Sequence, residues 1–134
     1  MTDTGLEAEL RAALTEFLDA IDAADLERLA PLWCADGSMY FPFRNSLELL
    51  EGAPLVLARF ERMFADLRAR NPAPPYIRFT IDHFRVQTLD AFHAVIYTTL
   101  AFPGQVGRRT ILCRREAAGW AILHVHASNF GASG

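Results

Sequence analysis

From Leu6 the apolar positions Leu10, Ala13, Leu14, Phe17, Leu18 and Ile21 recur at helical spacing, while Glu7, Glu9, Arg11, Glu16 and Asp19 fall largely between them. That spacing predicts a helix from about Leu6 to Ala23, whose acidic first turn, Glu7 and Glu9, suits the positive end of the helix dipole. Asp25 offers a capping oxygen to a second, shorter helix carrying Leu26, Leu29, Leu32 and Trp33, which Pro31 should kink or end early. Ala35-Asp36-Gly37 reads as a turn into a strand from Ser38 to Phe43, whose alternation separates Met39, Phe41 and Phe43 from Ser38, Tyr40 and Pro42. Pro42 marks that strand as an edge or as broken there. Leu47 to Glu51 fits a short strand or a loop. Gly52 punctuates the chain before a helix from Ala53 to about Arg70, with Pro54 in its first turn and Leu57, Phe60, Met63, Phe64 and Leu67 as its buried stripe.

After the stiff loop Asn71-Pro-Ala-Pro-Pro the period changes from helical to two. Tyr76 to Thr88, Phe92 to Phe102 and Gly107 to Glu116 read as strands joined by connections short enough for hairpins. Trp120 to Asn129 completes an antiparallel meander of four. Strict alternation on this last strand puts Trp120, Ile122, His124, His126 and Ser128 on one face and Ala121, Leu123, Val125 and Ala127 on the other. Both faces are then mostly apolar, with two imidazoles and a hydroxyl marking a partly polar cavity on one of them. Helices segregated from the sheet they cover predict an α+β fold, and residues 1–134 are expected to form a single domain.

Composition narrows the function classes. At 134 residues, 51% apolar, with a formal charge of -3, the chain fits one ordinary globular domain, and without a basic tract it carries no electrostatic footprint for nucleic acid. All 13 basic residues are arginine, which removes lysine Schiff-base chemistry and a phosphate-loop lysine. No glycine-rich phosphate loop implies a nucleotide cofactor. Cys34 and Cys113, far apart in apolar segments, read as buried free thiols in a reducing compartment, with a single disulfide as the alternative. The segment MTDTGLEAEL lacks the pattern of a secretory signal, and no apolar run approaches the roughly twenty residues that span a bilayer. A cytoplasmic location without membrane contact is expected.

The candidate chemistry gathers on the closing strand. His124 and His126 should lie about 6 to 7 Å apart along it, each able to move a proton near neutral pH, or to serve as a hydrogen-bonded structural imidazole. Tyr40 is a candidate donor to a ligand oxygen, as is Tyr97. Asp82, an acid in the middle of a predicted strand, could orient a histidine or pair with Arg78 or Arg109. A metal would need a third ligand beside His124 and His126, from His83 or His93, and nothing in the spacing sets those on the same face, so no metal is expected. Cys113 has no histidine at a fixed spacing and is not expected to act as a nucleophile. Arg109, Arg114 and Arg115 could ring a pocket mouth or face solvent.

The order of elements, together with Gly119-Trp-Ala-Ile-Leu-His-Val-His-Ala-Ser128, resembles the nuclear transport factor 2-like superfamily in its SnoaL-like branch, over nearly the whole chain. The closing strand is also similar to that of the calcium/calmodulin-dependent kinase II association domain, with Arg114-Arg115 ahead of the tryptophan. The resemblance implies a cone in which helices close over a curved sheet, with homodimers formed through the outer sheet face. Its members include isomerases, dehydratases, epoxide hydrolases and cyclases as well as proteins that only bind or assemble, so fold alone does not choose among them. Carried over by position, the acids of the ketosteroid isomerase branch would fall near Phe41 and near the strand containing Cys113, and neither residue is acidic. Two classes remain. One is a cofactor-independent lyase, isomerase or cyclase acting on a small hydrophobic oxygenated molecule, with His124, His126, Tyr40 and Asp82 as catalytic residues. The other is a non-catalytic ligand-binding or oligomerisation domain.

Overall fold

The computed structural model describes residues 4–131. Residues 1–3, the head of the segment read above as no secretory signal, and residues 132–134 lie outside them. The chain runs α1 (Thr4–Asp22), α2 (Leu26–Leu29), a 3-10 turn (Ala30–Leu32), β1 (Trp33–Tyr40), β2 (Leu50–Glu51), α3 (Ala53–Arg70), β3 (Thr80–Thr88), β4 (His93–Phe102), β5 (Gln105–Glu116) and β6 (Gly119–Gly131). The strands form one sheet in the order β2-β1-β6-β5-β4-β3. β3 to β6 are the expected antiparallel meander, β1 runs parallel to β6, and β2 is antiparallel to β1. Three helices cover one face of this mixed sheet, an α+β arrangement that matches the curved cone.

α1 and α3 form where the apolar spacing predicts them. The second helix, by contrast, ends at Leu29, Pro31 lies in the 3-10 turn that follows, and Trp33, expected on that helix, opens β1 instead. The Asp25 carboxylate accepts the Arg28 N–H at 3.1 Å and so caps α2. Pro54 occupies the first turn of α3, where its missing N–H costs nothing. The apolar stripes of α1 and α3 meet the sheet in an aromatic cluster. The Phe60 ring stands 4.8 Å from Phe41, 5.8 Å from Phe64 and 6.2 Å from both Phe17 and Trp33. Such tilted and edge-on contacts add to the area the rings bury. Cys34 and Cys113 are buried and unpaired. No helix among the described residues is long and apolar enough to cross a membrane.

Three local departures from the sequence reading matter for the site. Ala35-Asp36-Gly37 is not a turn before the strand but an irregularity within β1, whose register against β6 jumps from Trp33 opposite Ile122 to Ser38 opposite His124. Gly37 permits it, because a Cβ there would meet Trp33 Cε3 at 2.8 Å and the Cys34 carbonyl oxygen at 3.0 Å. On β6, Leu112 faces His124 while the next residue of β5, Cys113, faces Ile122, so Leu123 is an extra residue, a β-bulge. Finally, β3 begins at Thr80, because the preceding segment is tied to the end of α1 instead of to the sheet. The Asp22 carboxylate accepts the N–H groups of Arg78 and Phe79 at 3.0 and 3.2 Å, and the Asp22 carbonyl accepts the Tyr76 N–H at 2.8 Å.

Candidate functional site

Tying the 71–79 segment to Asp22 leaves a space between it, α1, α3 and the inner face of the sheet. This solvent-connected cavity has a volume of about 850 Å³ and is lined by the rings of Phe17, Phe41, Phe43, Phe60, Phe79 and Phe102. Its size falls within the range of small-molecule sites, and arginine and asparagine side chains stand among the rings that line it. Arg109 and Asn129, from the neighbouring strands β5 and β6, supply polar groups in its sheet wall.

Arg109 points inward because of its register. Gly107, Arg109, Ile111 and Cys113 alternate on the buried face of β5, and Arg108 and Thr110 are exposed. Arg109 is only 8% exposed. Its Nη1 donates to the carbonyl oxygens of Arg108 and Ser128, both at 3.0 Å, and to Asn129 Oδ1 at 2.9 Å. Among the described residues no carboxylate lies within ion-pair distance of it. Burial lowers its pKa to about 10, which still leaves it a cation near neutral pH. An unpaired buried ion carries a desolvation penalty of several kcal/mol. Gly107 makes room for this group, since a Cβ there would stand 2.9 Å from Arg109 Nη1 and 3.0 Å from Asn129 Oδ1. A second cation, Arg59 of α3, lies over the rings of Phe41 and Phe43 at 5.5 and 5.0 Å and donates from Nε to Ser46 Oγ at 2.7 Å. Its pKa is lowered, first by burial and then by Arg62.

The histidines lie on the other side of the sheet. The bulge at Leu123 breaks the alternation, so Ile122, Val125 and Ala127 are buried against the helices, while His124, His126 and Ser128 face outward. The expectation that Ile122 and His124 share a face is therefore corrected, as is the expectation that the imidazoles mark the cavity. His124 Nδ1 and Ser38 Oγ share a hydrogen bond of 2.8 Å, and the Tyr40 ring stands 6.0 Å from His124 and 5.1 Å from His126. Burial, followed by the neighbouring His126, lowers the pKa of His124. The structure thus brings His124, His126 and Tyr40 together, but outside the cavity. Asp82 stands apart from them on β3, exposed at a bulge between Ile81 and His83, with β4 and β5 intervening. Among the described residues it has no ion-pair partner, neither Arg78 nor Arg109.

The remaining candidates have local roles. The Tyr97 hydroxyl donates to Gln87 Oε1 at 2.8 Å. His93 Nδ1 lies 2.9 Å from Asp90 Oδ1 at the β3–β4 hairpin, and His83 is exposed on β3. Among the described residues no group of three or more His, Cys, Asp or Glu side chains is placed to hold a metal. Burial pushes the thiols of Cys34 and Cys113 up to about 11 and about 12, unfavourable for a thiolate. Arg114 pairs with Asp36 at 2.7 Å, and Arg115 lies over the Trp120 ring at 4.5 Å. Phe41 lines the cavity and Cys113 is buried in the core, so neither position carried over from the isomerase branch offers an acid.

The sequence profile of the SnoaL-like domain family matches residues 10–133. No curated protein matches the chain in sequence. Among solved structures, a candidate dehydratase of the NTF2-like family from Streptomyces avermitilis is 24% identical, with a TM-score of 0.80 over 98% of this chain and 100% of that one. A candidate calcium/calmodulin-dependent kinase II association domain from Xanthomonas campestris is 19% identical, with a TM-score of 0.71 over 91% of this chain and 86% of that one. A candidate aromatic ring hydroxylase from Novosphingobium aromaticivorans is 14% identical, with a TM-score of 0.76 over 98% and 96%. At these identities the likeness is one of fold.

Proposed function

The chain belongs to the SnoaL-like domain family, within the NTF2-like superfamily, and from that premise we propose that its one domain, residues 1–134, binds a small, hydrophobic, oxygenated molecule in the cavity between α1, α3 and the sheet. The observation that carries this reading is the lining: six phenylalanine rings surround a space of about 850 Å³, with Arg109 and Asn129 as polar groups in the sheet wall. Apolar rings give a ligand its burial, and a few fixed donors orient its oxygen. A lyase, isomerase or cyclase step in this space would polarise that oxygen through Arg109 and Asn129. The proton carriers expected from the sequence, His124, His126, Tyr40 and Asp82, lie outside the lining, which favours binding over proton transfer by those groups. Two unpaired buried thiols suit a reducing, cytoplasmic setting.

A fluorescence titration with 2-naphthol, a neutral oxygenated probe, tests the reading. Saturable binding that is lost in Met63→Trp, which fills the cavity from α3, supports it. No binding, or binding indifferent to Met63→Trp, contradicts it.

A second reading rests on the outer sheet face. That face is uncovered in the monomer and carries Tyr40, 36% exposed, and Tyr97 in one row with His126 and Thr110. We read it as the surface through which two copies form a homodimer, with His124 and His126 inside the interface. Light scattering on the wild type and on Thr110→Glu tests this: a dimer that becomes a monomer supports it, and a wild-type monomer contradicts it.

A further inference from the structure

The cavity is unusual in its charge. Four arginines, Arg59, Arg70, Arg78 and Arg109, line it against a single acid, Asp66, within a chain whose net charge is -3. Asp66 is exposed on α3, whereas Arg109 is buried in the sheet wall. The hydrogen bonds of Arg109 run through Nη1 alone. Among the described residues no acceptor engages its Nε or Nη2, and neither is enclosed without a partner, since the buried unpartnered side-chain nitrogen there is Trp33 Nε1. These N–H groups are therefore neither partnered nor fully enclosed, on a side chain that lines the cavity.

Asn129 adds to the same character. A guanidinium only donates, so the Asn129 atom facing Nη1 is the amide oxygen. Its amide nitrogen is left as a further donor. The sheet wall thus offers N–H groups from Arg109 and Asn129 within an aromatic enclosure. A planar guanidinium with free N–H groups matches the two oxygens of a carboxylate.

We propose that the ligand of this cavity is a carboxylate with an apolar, ring-sized body, its carboxylate oxygens received by the free N–H groups of Arg109 and by the Asn129 amide, its body packed among the phenylalanines. The proposal rests on the cavity being the binding site. It accounts for a glycine at position 107, beside the guanidinium, and for a buried cation without a protein carboxylate. The ligand supplies the missing negative charge.

Isothermal titration of the whole chain with 2-naphthoate and with 2-naphthamide, which share a ring system and differ in charge, tests it. Naphthoate is expected to bind at least about tenfold more tightly, as a charge-assisted pair with a buried arginine requires. Arg109→Met is expected to abolish that preference. Asn129→Asp places a carboxylate 2.9 Å from Nη1 and is expected to abolish the preference while raising the melting temperature, a readout that survives if Arg109→Met fails to fold. Equal affinity of the two probes for the wild type, with binding still blocked by Met63→Trp, overturns the carboxylate assignment and leaves the cavity as a binding site. A preference for naphthoate that persists in Asn129→Asp also overturns it. Binding of neither probe overturns the assignment and the binding-site reading together.

Discussion

Ile122 and His124, two positions apart on β6, point to opposite faces of the sheet, because the bulge at Leu123 takes up one residue between them. The two imidazoles are thereby separated from the cavity by the thickness of the sheet. Changing them should leave cavity binding intact. In a 2-naphthoate titration, His124→Ala and His126→Ala are each expected to stay within about twofold of the wild type, a difference below the usual effect of a lost contact. A loss of tenfold or more in either variant would place the ligand on the outer face.

Much of the fold is legible from the spacing of apolar residues. The 3.6-residue period of α1 and α3 and the change to period two after the proline-rich loop both come from which faces must be buried. What alternation cannot carry is an inserted residue. A bulge changes the parity of everything beyond it, and Leu123 has no side-chain signature that marks it as extra. The bulge therefore turns His124 and His126 to the outer face, whereas strict alternation sets them beside Ile122. Arg109 was nonetheless readable: it alternates with Gly107, Ile111 and Cys113, a charge set into an inward-facing row of small and apolar residues. Its neighbours Asn129 and the six rings come from other parts of the chain, which spacing within one strand does not bring together.

Gly107 is expected to matter for binding more than for folding. The atoms that a Cβ would crowd, Arg109 Nη1 at 2.9 Å, Asn129 Oδ1 and Phe102 Cε1 both at 3.0 Å, are all side-chain atoms able to move. Gly107→Ala should therefore displace the guanidinium, lowering stability by no more than about 1–3 kcal/mol, the usual cost of overpacking. Naphthoate affinity should fall toward that of naphthamide. Chemical denaturation beside the titration separates the two effects.

Phe60 holds the wall of the cavity opposite the sheet and touches Phe17, Trp33, Phe41 and Phe64. It is 1% exposed. Phe60→Ala should cost about 3–5 kcal/mol, the sum of lost burial and the void left behind. Urea unfolding measures this, and a loss below about 1 kcal/mol would show that the cluster repacks.

The outer face carries a pH dependence of definite sign. The pKa of His124 in the folded chain lies below its ordinary value of 6.5, because burial and the adjacent His126 disfavour its charged form. Between those two values the unfolded chain holds more protons. The contribution of His124 to stability is therefore complete above about pH 6.5 and falls as the pH drops through that window. Asp22 acts in a separate, more acidic window and with opposite sign: burial raises its pKa above 3.8, which favours the folded state as its carboxyl protonates. Melting curves from pH 7.5 to 5.5 are expected to show a loss in the wild type that is smaller in His124→Gln. An equal loss in both would assign the dependence elsewhere.

The most direct measurement is a crystal structure of the chain grown with 2-naphthoate. The carboxylate is predicted within hydrogen-bonding distance of Arg109 Nε or Nη2 and of the Asn129 amide, with the rings among Phe17, Phe41, Phe60, Phe79 and Phe102. Naphthoate bound beside His124 and His126, or an empty cavity at saturating concentration, would contradict the account.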